Sequence, residues 1–280
     1  MVKNVKKYFY VLLCTSVLTC MTSVKALGFI HRTIKSALHW TISAGPLWLE
    51  AYQYAKLLPQ EQALSELGTN NLNTKEEDFI RITLQELDYT HYKTIPVKIL
   101  NADKQQYVQS ALICTDNALF VNQIYYQNLT KKEKKAIIAH AVTMMNAHHT
   151  LSNALVLAGI PACTHIAIKT YQAGIREIIP ACIKNNRLCS LLFKTHDFIT
   201  GSCITKSVIN YLLAAQYFKW KSKKYDIESA EKYQTHDDLL SYYTKMNKQT
   251  YKDLELLSPR QPTLQERIGY LTALASKKAE

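Results

Sequence analysis

The sequence predicts a helix-rich α+β domain, and three observations lead there. Glycine is scarce, at seven of 280 residues, which disfavours a turn-rich sheet protein. Short strand signals follow one another between residues 95 and 122, and directly after them comes a long helical pattern with a complete N-terminal cap. With 48% hydrophobic residues, a chain of this length can bury one substantial core.

Lys3, Lys6 and Lys7 precede an apolar run from Tyr8 to Val24, and Val24-Lys25-Ala26 offers the small residues that a signal peptidase reads. Cleavage after Ala26 is the preferred reading. An uncleaved anchor is the alternative, because the run is nearly long enough to span a bilayer. Leu18-Thr19 before Cys20 makes a poor lipoprotein box. Either leading reading sends the rest of the chain across, or onto, a membrane.

Residues 46–92 read as helical, with Leu57, Leu58, Leu64 and Leu67 recurring, a break at Gly68 to Asn73, and a new helix from about Thr74, where Thr74 and Glu77 form a capping box. Strands are expected at Ile95–Leu100, Tyr107–Cys114 and Ala118–Asn122, with Asp116-Asn117 turning between the last two. The next helix starts from Thr130, whose side chain and that of Glu133 three residues on can satisfy each other's amides. Ile137, Ile138, Ala141, Val142 and Met145 give it a buried face, and His140 and Met144 stack one turn apart.

Residues 151–168 are almost wholly apolar but contain Pro161 and His165, a marginal span. A second apolar stretch, 198–218, has Lys206 in its middle, costly in lipid. A helical hairpin packed on the domain or dipped into the membrane interface fits better than two crossings. Asp237 and Asp238 after His236 read as a helix N-cap or a turn.

The net charge of +12 is spread along helices, and the 18 tyrosines show no stacking repeat, so a nucleic-acid stripe is not indicated. The densest basic clusters, 131–135 and 219–224, read as solvated helix faces, with contact to an anionic membrane surface as the alternative. Five cysteines follow the leader: Cys114, Cys163, Cys182, Cys189 and Cys203. An odd number without C-x-x-C spacing argues against a zinc cluster, while disulfides within 163–203 and buried free thiols both remain open.

Residues 129–151 carry a more specific pattern. The run from Leu129 through Thr130, Glu133, Ala136, Ala139, His140, His149 and Thr150 to Leu151 resembles, without a gap, the active-site helix of the HtpX-like and CAAX-prenyl-protease-like zinc metallopeptidases, which read L-T-x-x-E-x-x-A-V-L-A-H-E-x-G-H-x-x-N-R-H-T-L. Ala141 stands at the general-base position, Thr143 at the usual glycine and Met144 at the second zinc ligand. Residues 222–230 resemble the family's S-R-x-x-E-x-E-A-D: Ser222 and Glu228 match, Asp226 keeps a carboxylate at the third-ligand position, and Ala230 lacks the orienting one. A register shifted by one would put Ile227 at the ligand position, and the first register matches more residues. Pro262 to Leu271 resembles the closing H-P-S-L-x-E-R-I-x-x-L, with Gln261 in place of the histidine.

The resemblance implies a thermolysin-like (gluzincin) fold over residues 93–274, with a small antiparallel-type sheet before the active-site helix and a hydrophobic helical insertion at about 152–221. A leader at 1–26, an N-terminal helical segment at 27–92 and a tail at 275–280 complete the organisation. It also implies His140 and Asp226 as remnant metal ligands, His149, Glu228, Ala230 and Gln261 as site remnants, and Ala118, Leu119, Phe120, Val121 and Asn122 as an edge strand that would pair with an extended peptide. A catalytic zinc usually needs three protein ligands and an activated water. Met144 is a soft thioether better suited to Cu(I), and Ala141 cannot take a proton from water, a role that contributes about 10² to 10⁴ in rate. The expectation is therefore a degenerate metallopeptidase homologue that binds no cofactor, does not hydrolyse peptides by the zinc mechanism, and keeps a groove for a peptide or protein partner. A working peptidase with unorthodox ligation and a structural membrane-associated protein are the alternatives.

Overall fold

The computed structural model describes residues 26–105, 108, 110–178, 187–249 and 262–279. Most of the leader, Gln261, Cys182 and the expected strand start at Tyr107 lie outside the described residues. The architecture is α+β, mostly helical with one small sheet. The chain forms two units, one of residues 50–157 with 212–280 and one of residues up to 49 with 158–211.

In chain order the elements are α1 (Ala26–Lys56), α2 (Gln60–Leu67), β1 (Gly68–Asn71), α3 (Thr74–Glu86), β2 (Val97–Leu100), α4 (Ala102–Gln105), β3 (Leu112–Thr115), β4 (Ala118–Val121), α5 (Gln123–Tyr126), α6 (Lys131–Asn146), α7 (His149–Ile178), α8 (Arg187–Gly201), α9 (Cys203–Lys232), α10 (His236–Gln249) and α11 (Leu264–Ala279). The segment expected as a break, Gly68–Asn71, is a strand. A Cβ on Gly68 would sit 3.0 Å from Lys98 Cβ and 3.2 Å from both the Leu64 carbonyl and the Phe120 ring, so the close approach of β1 to its neighbours favours glycine there. The α3 cap is also one residue earlier than expected: Asn73, not Thr74, accepts the Lys75 amide at 3.1 Å.

The sheet order is β1-β2-β4-β3. Outer pairs are antiparallel, but β2 and β4 are parallel, with Val97 opposite Leu119 and Ile99 opposite Val121, so the sheet is mixed rather than antiparallel. The cause is the order of pairing: β3 turns tightly at Asp116-Asn117 into β4, and β4 takes the place beside β2. Ala118, Leu119, Phe120, Val121 and Asn122, expected at an exposed edge, are therefore interior and fully buried. Leu119 and Val121 join the main core with Ile80, Ile138, Val142 and Leu239, while Ala118 and Phe120 meet Ala63 and Leu64 of α2 on the other face. With both faces covered, β4 reads as a continuous apolar run. The two edges of the sheet are β1 and β3.

The expected cap on α6 is present in full. The Glu133 amide donates to Thr130 Oγ1 at 3.3 Å, and the Thr130 amide donates to Glu133 Oε2 at 2.8 Å. Glu133 is 2% exposed and further ties α6 to α10, accepting from Ser241 Oγ and from Lys245 Nζ, each at 2.7 Å. At the far end His148, with φ 46°, turns the chain out of α6. Asp116 then caps α7, accepting the Thr150 amide at 2.8 Å and the Leu151 amide at 3.0 Å.

In the other unit, α7 runs through Pro161, and its stretch His149–Ile175 is long and apolar enough to cross a membrane; the bent pair Lys194–Gly201 and Cys203–Lys232, meeting at 48°, passes the same test jointly. Lys206 is turned inward and is 7% exposed. One turn on, Asn210 donates to the Ser43 carbonyl at 2.8 Å, joining α9 to α1. Cys114, Cys163 and Cys203 are free thiols.

Burial opposes the Glu133 charge, but Lys245, the Thr130 amide, Ser241 and the Thr130 hydroxyl together lower its pKa to about 2. The folded value lies below the ordinary 4.5, so this stabilisation is complete above about pH 4.5 and is lost as pH falls toward 2. Glu133→Gln is expected to cost about 1.5–3 kcal/mol at pH 7 by urea denaturation, with the gap to the parent protein narrowing between pH 5 and pH 3.

Candidate functional site

Four helices of the first unit converge on one carboxylate. Asp226 of α9 has no exposed surface. The Tyr243 hydroxyl of α10 donates to its Oδ1 at 2.6 Å, and Arg267 Nη1 of α11 donates to Oδ1 at 3.0 Å and to Oδ2 at 2.8 Å. Tyr270, one turn along α11, donates to Oδ2, and Arg267 Nη1 also donates to the Tyr243 oxygen at 2.7 Å. His140 of α6 faces the same group, its Nδ1 3.4 Å from Asp226 Oδ1. That distance permits electrostatic attraction, but the hydrogen-bond geometry fails and Nδ1 is buried without a partner.

The electrostatics follow from this crowding. Burial lowers the His140 pKa and Arg267 adds to that effect, while Asp226 opposes it, so the ring is neutral at pH 7. Burial also works against the Arg267 charge, yet Asp226 and the two phenols hold its pKa above the ordinary range. The hydroxyls of Tyr243 and Tyr270 are raised, by burial first, and stay protonated as donors to the carboxylate.

The donor set does not fit a catalytic zinc. Both oxygens of Asp226 are taken by protein donors, Met144 presents a thioether, and no three His, Cys, Asp or Glu side chains gather as a metal site among the described residues. The guanidinium of Arg267 supplies the positive charge that this carboxylate faces. Ala141 is 3% exposed and holds no proton acceptor beside His140.

A cavity of about 620 Å³ opens along α6, lined by His140, Ala141 and Met144, by His149, by Arg267 and by strand β3. His149 lies between Tyr54 and Tyr225, whose rings meet it edge-on at 6.3 and 6.4 Å. Of the other expected site residues, Glu228 is exposed and pairs with Lys224 at 3.6 Å, away from the carboxylate cluster, and Ala230 is buried in the core. Cys114 lines the cavity, but burial raises its thiol to about 12, so it is not a nucleophile at neutral pH.

The edge of β3 has a definite phase. The Asn122 amide donates to the Ala111 carbonyl at 3.0 Å, so alternation gives Ile113 and Thr115 to the ladder with β4 and turns the backbone of Leu112 and Cys114 outward. Ser110 Oγ donates to the Leu112 carbonyl at 2.7 Å, and the Tyr242 hydroxyl accepts the Ala111 amide at 3.1 Å.

Arg267, Tyr243 and Tyr270 did not stand out in the sequence as site residues. A signal was available for Arg267, which lies in the same helical stripe as Leu264, Ile268 and Leu271, where a charge requires a buried acid.

A scan against protein-family models finds none that matches the chain. A search of curated proteins likewise gives no significant match.

Asp226→Leu strands the Arg267 charge and is expected to cost about 3–5 kcal/mol. The pair Asp226→Leu with Arg267→Met is expected to be less destabilised than Asp226→Leu alone, by thermal unfolding of all variants side by side.

Proposed function

We propose that the unit of residues 50–157 and 212–280 is a degenerate HtpX-like metallopeptidase scaffold, of thermolysin-like arrangement, that has lost zinc hydrolysis and holds an extended peptide or protein segment in the cavity beside β3. The observation that carries this reading is Asp226, which faces His140 across 3.4 Å yet has its carboxylate bound by Arg267. Two side chains 86 positions apart in sequence, chosen from motif spacing alone, are neighbours in space. The motif resemblance supplies the peptidase ancestry, and the absence of a general base at Ala141 removes the chemistry.

Peptide binding needs neither metal nor base. A strand added to β3 would hydrogen-bond to the outward amides of Leu112 and Cys114 while its side chains entered the cavity past Met144 and His149. The apolar stretch His149–Ile175 supports attachment to a membrane.

Three measurements check this. The purified chain is expected to carry far less than one equivalent of zinc and not to cleave casein; near-stoichiometric zinc lost on His140→Ala would overturn the reading. Ala141→Glu with Met144→His restores the missing groups but leaves Asp226 held by Arg267, so zinc uptake is expected to rise further when Arg267→Met is added. In hydrogen exchange, the Leu112 and Cys114 amides are expected to gain protection on binding an extended peptide selected from a random library, and protection confined to other elements would sink the β3 assignment. Flotation with neutral vesicles tests the membrane attachment separately.

A further inference from the structure

By sequence, residues 1–49 and 158–211 carry most of the chain's net positive charge. They hold twelve Lys and Arg against two acids, Glu177 and Asp197, a net +10 within the chain's +12. The same unit exposes large apolar side chains on its helices: Leu38 and Ile42 on α1, Ile166 on α7, Phe198 on α8 and Ile204 on α9.

Three of its helices bring bases together. Lys206 Nζ of α9 lies 3.3 Å from His39 Nε2 of α1 and 3.5 Å from His165 Nδ1 of α7. Lys206 is 7% exposed, whereas His39 and His165 are half-exposed, so the cluster is closed on the lysine side and open on the histidine side. No described carboxylate comes within ion-pair distance of Lys206, and Asp197 is 3.9 Å from His196. Imidazole lone pairs accept hydrogen bonds from an ammonium but bring no negative charge. A buried cation without a counter-ion costs several kcal/mol, and an anion arriving at the open side would remove that cost. Lys169 lies close enough to act on both Lys206 and His165, and Leu38, Ile42, Ile166 and Ile204 are exposed on the same three helices, so an anion that also carries acyl chains is matched on both counts.

We propose that Lys206, His39 and His165 form a binding site for the acidic headgroup of an anionic phospholipid, with its acyl chains lying along the exposed apolar faces of α1, α7 and α9. The ammonium pairs with a phosphate oxygen, and either histidine, taking up a proton from solvent beside the bound anion, adds a second charge-assisted hydrogen bond. The assignment rests on the membrane-facing reading of this unit.

Trp40 is a built-in reporter, 4.7 Å from the His165 ring and 5.9 Å from Trp48. The test uses the full chain carrying Trp220→Phe, in nonionic micelles, with tryptophan emission followed during titration of phosphatidate. A saturable change with phosphatidate is expected, and none with phosphatidylcholine or inorganic phosphate. Lys206→Met is expected to raise the midpoint about tenfold or more, the loss of one charge-assisted contact, while Lys194→Gln, an equal change in net charge at an exposed position, shifts it less than about twofold. If Lys206→Met does not fold, Lys206→Arg is expected to retain binding and His165→Ala to weaken it. Equal response to phosphatidylcholine or to phosphate overturns the lipid assignment, and equal midpoints for Lys206→Met and Lys194→Gln overturn the site. Because micelles replace the bilayer, these failures are distinct from a failure to float with neutral vesicles, which would refute membrane attachment itself.

Discussion

The buried ion pair between Asp226 and Arg267 is the constraint on which the first unit depends. Once α9 places a carboxylate with no exposed surface between three other helices, each of these must supply something it can tolerate: a guanidinium and a phenol from α11, a phenol from α10, and a neutral imidazole from α6. Such a pair adds little net stability, because desolvating both charges offsets their attraction. Its effect is on uniqueness. Sliding α11 by one residue would leave a buried charge without its partner, so the alternative packings that apolar contacts would allow are excluded by electrostatics.

A second tie works beside it. Glu133 closes the α6 cap and also binds Ser241 and Lys245 of α10, so the first turn of α6 is fixed at the same time as its middle is fixed through His140 and Asp226. The helix that borders the cavity is therefore held at two points 7 residues apart in sequence, and α10, which donates from Tyr243, is held by both. A wall anchored in this way favours a preformed cavity over one that has to be induced. What the wall offers is shape, a strand at the sheet's edge and a neutral imidazole.

Sequence reasoning reached part of this. The Thr130–Glu133 cap, the Asp116-Asn117 turn and the α+β class were legible because each is set by residues close together in the chain. The neighbourhood of His140 and Asp226 was legible only through motif resemblance, since no local rule links positions so far apart. The strand at Gly68–Asn71 was missed because its residues have low strand propensity, and it is held by close contact with Lys98 and Phe120 instead. The edge was assigned to residues 118–122 rather than 112–115 because sheet order depends on the parallel pairing of β2 with β4, a long-range choice invisible in alternation alone. Arg267 was written in the sequence as a charge on an apolar stripe, but its partner had to be seen.

The position of Asp116 links the groove to the apolar helix. It occupies the tight turn that ends β3, and its carboxylate holds the first amides of α7. Any load that straightens or twists the open edge is therefore delivered, through two hydrogen bonds, to the foot of the helix best suited to enter lipid.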